Sequence, residues 1–455
     1  MLSKKLKKLS QAIGISALAM SAVFAVPAQA ETVTAVMQAG LRSLDPIITS
    51  GYIIRNFGYM VYDTLFSIDS KGEIKPQMVQ EWTVSDDGKT YTFTLRDGLK
   101  WHDGTAVTAE DCLASLERWS KLDKTGQVMA SMLVRAEAVD EKTFEMEFDE
   151  STDIVLRAMA RPSSVPAFMM PKKLAETPTT ETLREAIGSG PFKFIHEEYR
   201  PGVQAVFEKF TDYVPREEPA DGLAGGKVVN IDRVEWVTMP DSMTAVNAIL
   251  NGEIDYIEQV PHDLLPLLES SDEVNFVVDP LQGSQTALRL NFLHPPFDNK
   301  KIRQAALLAL DQQAILDAQI GNMDYASTCS AVFGCTNPNA FDDMDDEVIK
   351  PHPEKAKKLL EEAGYDGTPV VLLHPTDLGV VTPVLPILGQ SLKQAGFNVD
   401  LQAMDWQTLL TRRASMDAPS DGGWNGFVTY TVTSEIGDPL GFQWLAGNGE
   451  QAWFG

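Results

Sequence analysis

The densest binding chemistry in this chain of 455 residues lies in Asp405-Trp406-Gln407-Thr408-Leu409-Leu410-Thr411-Arg412-Arg413. Asp405 is placed to cap a helix on which Trp406, Leu409, Leu410 and Arg413 share one face. Two readings stand. In one, Trp406 is core and Arg413 runs its stem along apolar surface to solvent. In the other, the face looks into a ligand cleft, where Arg413 gives a charge-assisted bond to a carboxylate or carbonyl, worth about 1.5–3 kcal/mol.

Motifs for catalysis fail in detail. His196-Glu197-Glu198 starts like a zinc-protease helix, but Arg200 stands where the second histidine belongs. Residues 222–227 space their glycines too closely for a phosphate loop, and Val228 replaces the needed Ser or Thr. Gly188-Ser189-Gly190-Pro191 is not the G-x-S-x-G nucleophile turn. The six histidines are scattered without ligand spacing, so no metal, no cofactor and no catalytic residue is assigned. Cys329 and Cys335 sit in a segment of small and turn residues and predict a short-loop disulfide in an oxidising compartment. Their spacing is not C-x-x-C, and no second pair completes a zinc site. Cys112 reads as a small buried apolar residue.

The elements that must position these groups are legible by period. Residues 32–38 alternate as a strand with Val33, Ala35 and Met37 on one face. Leu44-Asp45-Pro46 breaks it before a mostly apolar stretch, 52–66. Two hairpins follow, turning at Ser85-Asp86-Asp87-Gly88 and at Asp140-Glu141-Lys142. Between them Thr108 caps a helix carrying Cys112, Leu116 and Trp119, which makes a compact α+β unit. Phe192, Phe194, Val206 and Phe207 read as sheet. Asp241 caps a helix ended by Asn251-Gly252, with a strand over 254–257 beyond. The last third alternates: helix 299–320, helix 353–363, strand 370–373, helix 384–395, strand 399–404. Strand, helix, strand with such short loops predicts a parallel βαβ crossover. The acidic run 342–347 lacks the glycine and distant glutamate of a calcium loop and reads as a solvated loop.

Bulk properties narrow the class. Lys4, Lys5, Lys7 and Lys8, the apolar run 13–26 and Ala28-Gln29-Ala30 form a secretory leader, with cleavage expected before Glu31. No cysteine follows the cut, so no lipid anchor is expected. The net charge of −26 argues against nucleic acid and anionic membrane surfaces. The length calls for two or three domains.

Ordered matches along the mature chain give the sequence a resemblance. They are Leu44-Asp45-Pro46, Tyr62-Asp63-Thr64-Leu65-Phe66, the stretch 85–104 with Thr108-Ala109-Glu110-Asp111, and Gly188-Ser189-Gly190-Pro191-Phe192. Asn251-Gly252-Glu253-Ile254-Asp255 follows, then Asn291 with Pro295-Pro296-Phe297-Asp298, and Ile302-Arg303-Gln304-Ala305. The chain resembles the family 5 extracellular solute-binding proteins, the peptide, oligopeptide and nickel receptors of ABC importers. The resemblance implies an α/β, two-lobed periplasmic binding protein fold (class II) with an extra α+β domain inserted in lobe one. Lobe one would be residues 31–62 and 170–280, the inserted domain 63–169, and lobe two 281–455. It further implies a periplasmic monomer that captures a short peptide or peptide-like solute by hinge closure and passes it to an inner-membrane permease. The alternatives are a metal chelate, an opine-like conjugate or an oligosaccharide, and beyond these a periplasmic enzyme or chaperone.

Family positions imply ligand contacts from Trp406 and Arg413, from Ser50 and Tyr52 on the opposite wall, from Glu258 and Gln259 near the hinge, and from His374 and Thr376 on a lobe-two loop. An ordinary loop or core role is the competing reading for each. Peptide receptors of this family place an aspartate shortly before an acidic-Pro pair to neutralise the peptide's α-amine. Here Ser434 stands near that place and Glu435 beside it, ahead of Asp438-Pro439. Either Glu435 takes the role, or the ligand has no free amine there, since a buried ammonium without an anion is costly. The chain stops at Trp453-Phe454-Gly455, where family members continue and return to lobe one. A piece lacking its closing segment is the expectation.

Overall fold

A computed structural model describes residues 31–278, 283–335, 340–341, 349–432, 435–436, 442–445 and 455. The leader and the acidic run 342–347 lie outside the described residues. Two α/β sheets dominate. The first orders its strands Phe192–Phe194, Gln204–Lys209, Arg233–Val237, Thr32–Val36 and Tyr256–Ile257. Thr32–Val36 is central and parallel to both neighbours, so it is covered on both faces. Ala35 packs into the main core, while Val36 packs on the other side with Ala245, Ala248 and Ile254. The strand expected at 254–257 shrinks to Tyr256–Ile257. The Asp255 carboxylate, rather than a backbone carbonyl, takes the Thr34 N–H at 2.7 Å.

The second sheet orders Ser284–Leu290, Gly426–Val432, Val370–Pro375 and Val399–Met404, and the last three run parallel. Helix Val384–Gln394 makes the crossover between Val370–Pro375 and Val399–Met404 that the strand-helix-strand pattern predicts. Its Leu385, Leu388 and Leu392 bury against Leu372 and Leu373. The helix expected over 299–320 is two, Lys300–Ala309 and Gln312–Gln319. Leu310 turns extended, and Asp311 starts a new cap by accepting the Ala314 N–H at 3.0 Å.

Both predicted hairpins join in a third, antiparallel sheet, Val79–Val84, Thr90–Leu95, Thr143–Phe148 and Leu133–Ala138. Tyr91, Phe93 and Leu95 alternate inward against Phe144, Met146 and Phe148. Helix Ala109–Ser120 covers them with Cys112, Leu116 and Trp119. Burial pushes the Cys112 thiol up, so it stays protonated and inert. The core of this sheet runs without a break into that of the first.

The helix starts with a reciprocal cap. Thr108 Oγ1 accepts the Asp111 N–H at 3.2 Å, and Asp111 takes the Thr108 N–H at 2.9 Å. Thr108→Ala removes half of it and is expected to lower unfolding free energy by about 1 kcal/mol. Urea melts that coincide with those of the unchanged protein would count against the cap.

Candidate functional site

The first and second sheets face each other across a cleft holding about 580 Å³ of space, part of it open to solvent. Its enclosed interior, about 50 Å³, is below the roughly 300–1,000 Å³ usual for a small-ligand site. One wall comes from the first-sheet side: Gln38, Ser50, Gly51 and Tyr52, with Ser164. The other comes from the second: Trp406, Leu410, Arg413, Thr429, Tyr430, Thr431 and Glu435, with Phe442 and Trp444.

Helix Trp406–Arg412 is set by its own residues. Asp405 accepts the Thr408 N–H at 3.1 Å, and Asp377 fixes the entry by accepting the Trp406 N–H at 2.7 Å. Trp406 therefore serves both readings, packed in the second core and edging the cleft. Arg413 is 3% exposed, so its guanidinium does not run out to solvent. Burial pulls its pKa down to about 9, which leaves it cationic at neutral pH. Its guanidinium carbon lies 5.8 Å from the centre of the Phe427 ring.

Opposite, helix Tyr52–Val61 presents Tyr52, Arg55 and Asn56 together, three and four positions apart. The Tyr52 hydroxyl donates to Glu435 at 3.0 Å and accepts the Val432 N–H at 3.0 Å. Arg55 lies 4.2 Å from the centre of the Tyr52 ring and donates to Ser163 at 2.6 Å and to Glu435 at 3.4 Å. Thr431 also donates to Glu435. Burial raises the Glu435 pKa, and Arg55 with the two hydroxyls opposes that rise.

Glu258 and Gln259 stand behind the wall. Glu258 accepts from the Gln38 N–H at 2.9 Å and from Asn56 at 2.7 Å; burial raises its pKa. Gln259 donates to the Tyr430 hydroxyl at 3.2 Å, and the Tyr430 ring meets Tyr52 edge-on at 5.2 Å. These contacts bridge the two sides, as does the exposed Arg42–Asp405 pair at 3.2 Å.

Of the residues selected from sequence, Ser50, Tyr52, Trp406, Arg413 and Glu435 line one cleft. Glu258 and Gln259 touch its lining residues. His374 and Thr376 do not line it. Thr376 turns out to solvent, with its N–H and hydroxyl donating to the Met404 carbonyl. The loop they occupy acts through Asp377, which holds the Trp406 helix. Ser434 lies outside the described residues. Cys329 and Cys335 are bonded, with Cα atoms 5.8 Å apart.

Arg55, Asn56 and Ser164 were not selected. Two polar residues at helical spacing from Tyr52 inside an apolar stretch were the available signal for Arg55 and Asn56. Ser164 has a φ of 67°, a conformation other described non-glycine residues avoid, and sequence carries no sign of it. A wider groove beside helix Ala109–Ser120 takes its walls from residues 110–146 and 172–180 and gathers none of the selected residues. Among the described residues no cluster of His, Cys, Asp and Glu could hold a metal ion, and no helix is long and apolar enough to cross a membrane.

Two α/β sides meeting across an aromatic and hydrogen-bonding cleft define a two-lobed binding protein. The chain belongs to the bacterial extracellular solute-binding proteins, family 5, whose description matches residues 73–453. It is 40% identical over 450 residues to a probable peptide ABC transporter periplasmic-binding protein, y4tO, of Sinorhizobium fredii, covering 96% of this chain and 84% of that one. It is 26% identical to the glutathione-binding protein GsiB of Salmonella typhi, over 85% of this chain and 72% of the relative. Among solved structures it is similar to AgaA of A. tumefaciens R10 in complex with agropinic acid. There the TM-score is 0.69 and the identity 26%, covering 88% of this chain and 77% of that one. The fold is also that of the Bacillus subtilis oligopeptide-binding protein AppA, with TM-score 0.73 at 21% identity over 90% of this chain and 81% of that one.

Proposed function

We propose that this chain is the periplasmic receptor of an ABC importer. It takes a short peptide or peptide-like solute into the cleft, closes by a hinge, and hands the solute unchanged to an inner-membrane permease. The observation that carries this reading is a cleft wall contributed from both sides, Ser50 and Tyr52 facing Trp406 and Arg413. A solute touching both walls binds the closed form better than the open one, and that difference drives closure. The peptide and glutathione named for its relatives support the substrate class. The agropinic acid in AgaA favours an opine-like conjugate as the second reading.

Residues 1–30 act as a cleaved leader in this scheme. Residues 31–62 with 170–280, and residues 281–455, are the lobes that move, and 63–169 is the domain inserted in the first. The deciding experiment is native mass spectrometry of the protein purified from its own periplasm. The expected spectrum shows a polypeptide starting at Glu31 and one retained solute of peptide-like mass. Arg413→Ala, which removes a charge-assisted bond, is expected to weaken retention roughly 10- to 100-fold. Unchanged retention would take Arg413 out of the site, and conversion of the solute would replace the receptor reading with an enzyme.

A further inference from the structure

We propose that Ser164 hydrogen-bonds a main-chain amide of the solute, and that Tyr59 and Trp119 are positioning residues that hold it in place to do so. The inserted segment 63–169 then shares in recognition with the two lobes. This rests on the reading of the cleft as the ligand site and adds a third contributor to it.

Ser164 lines the cleft and, among the described residues other than glycine, is alone in having a positive φ, 67°. A residue with a Cβ is disfavoured there, because the Cβ crowds the carbonyl that follows it. Such a conformation lasts only where the surroundings over-determine it. Here they do so from both sides of the residue. The Tyr59 hydroxyl donates to the Pro162 carbonyl at 2.8 Å, and Arg55 donates to the Ser163 hydroxyl at 2.6 Å. Beyond Ser164, Trp119 Nε1 donates to the Val165 carbonyl at 2.7 Å. Pro162 and Pro166 bracket the turn with fixed φ, and Pro166 also biases Val165 toward an extended conformation.

The anchors are themselves fixed. Trp119 is buried in helix Ala109–Ser120, and the Tyr59 ring stands edge-on to the buried Phe168 ring with centroids 5.0 Å apart. Burial pushes the Tyr59 pKa up, so its hydroxyl keeps the proton that it donates. None of these three bonds goes to Ser164 itself. The turn is fixed through its neighbours, and the residue left with the strained backbone is the one on the cleft wall. Glycine would adopt this φ without a steric cost. Serine adds a hydroxyl that can both donate and accept, which suits the carbonyl and N–H groups of a peptide main chain.

The test titrates the whole chain with glutathione and with unmodified alanine di- and tripeptides, and follows urea unfolding in their absence. Ser164→Ala keeps the Cβ and removes the hydroxyl. It is expected to weaken binding about five- to tenfold with the urea midpoint unchanged. Ser164→Gly weakens binding by a similar factor yet raises the midpoint, because the strain is gone. Tyr59→Phe removes one anchor and keeps the ring in the core, and about threefold weaker binding is expected. In the Ser164→Ala background Tyr59→Phe should cost nothing further, since its effect runs through the missing hydroxyl. A merely structural role for Tyr59 would cost the same in both backgrounds.

Ser164→Ala binding as tightly as the unchanged protein overturns the contact and leaves the peptide reading standing. Equal losses from Tyr59→Phe in both backgrounds overturn its positioning role. A lower urea midpoint for Ser164→Gly shows serine at ease in this turn and overturns the proposal as well. Binding of none of these peptides by the unchanged protein sinks the peptide reading, and this inference with it.

Discussion

Arg118→Met is expected to lower the unfolding free energy by about 3–5 kcal/mol, because it strands a buried carboxylate. Arg118 and Asp45 meet through two parallel bonds of 3.0 and 2.7 Å, with side chains 1% and 0% exposed. Asp45 also accepts the N–H groups of Ile47 and Leu183, and Arg118 donates to the Thr177 carbonyl. One pair therefore ties the Leu44-Asp45-Pro46 turn to helix Ala109–Ser120 and to the segment around residue 180. Methionine keeps most of the arginine volume, so the loss reports charge and hydrogen bonding rather than a cavity. Urea unfolding should show a lower midpoint at an unchanged slope. Adding Asp45→Asn to Arg118→Met should recover part of the loss, since the stranded charge is then gone. A single-variant loss below about 1 kcal/mol would show the pair to be replaceable by solvent.

The turn held by this pair leads directly into Ser50 and Tyr52, so the same bond positions one cleft wall. Its sequence signal was only Leu-Asp-Pro, a motif whose purpose becomes visible once Arg118 arrives from 73 residues away. That contrast runs through the molecule. Features written by local physics were legible: the alternation of Tyr91, Phe93 and Leu95, the Thr108 and Asp405 caps, the βαβ crossover, the face shared by Trp406 and Arg413. Even the break at Leu310 had a local sign, the Asp311 cap, which the longer helical period obscured. What sequence did not show depends on partners brought from elsewhere. Arg55 gains its role from Glu435 and Ser163. Ser164 lies at the cleft in a backbone conformation that serine does not advertise. His374 and Thr376 were selected from family positions on a lobe-two loop, but a family position does not fix which way a loop faces. There the structure turns Thr376 outward and uses Asp377 as a buttress.

Gly188→Ala is the second large effect, and here the mechanism is contact between backbones. A Cβ on Gly188 would sit 1.9 Å from the Val61 carbonyl oxygen and 2.6 Å from its carbon. Neither is the end of a flexible side chain that can swing away. The other side is closed as well. His102 donates its N–H to the Gly188 carbonyl at 2.8 Å, and its ring reaches the Gly190 carbonyl at 3.0 Å. The Gly188 N–H donates to the other ring nitrogen at 3.4 Å, which fits a neutral imidazole, and burial pulls the His102 pKa down to about 4. Gly190 donates back to the Val61 carbonyl at 2.9 Å. The glycines of Gly188-Ser189-Gly190-Pro191 thus answer to close approach. The alanine variant is expected to lose about 3 kcal/mol through forced backbone shifts. Gly72→Ala is the control: its φ of 79° carries strain, but nothing lies within 4 Å, so about 1 kcal/mol is expected. Val61 ends the helix that carries Tyr52 and Arg55, so Gly188→Ala should also weaken solute retention while Gly72→Ala leaves it intact. Denaturant melts with a retention assay separate the cases. Equal stability of the two variants would mean that the helix end and the glycine turn do not touch as described.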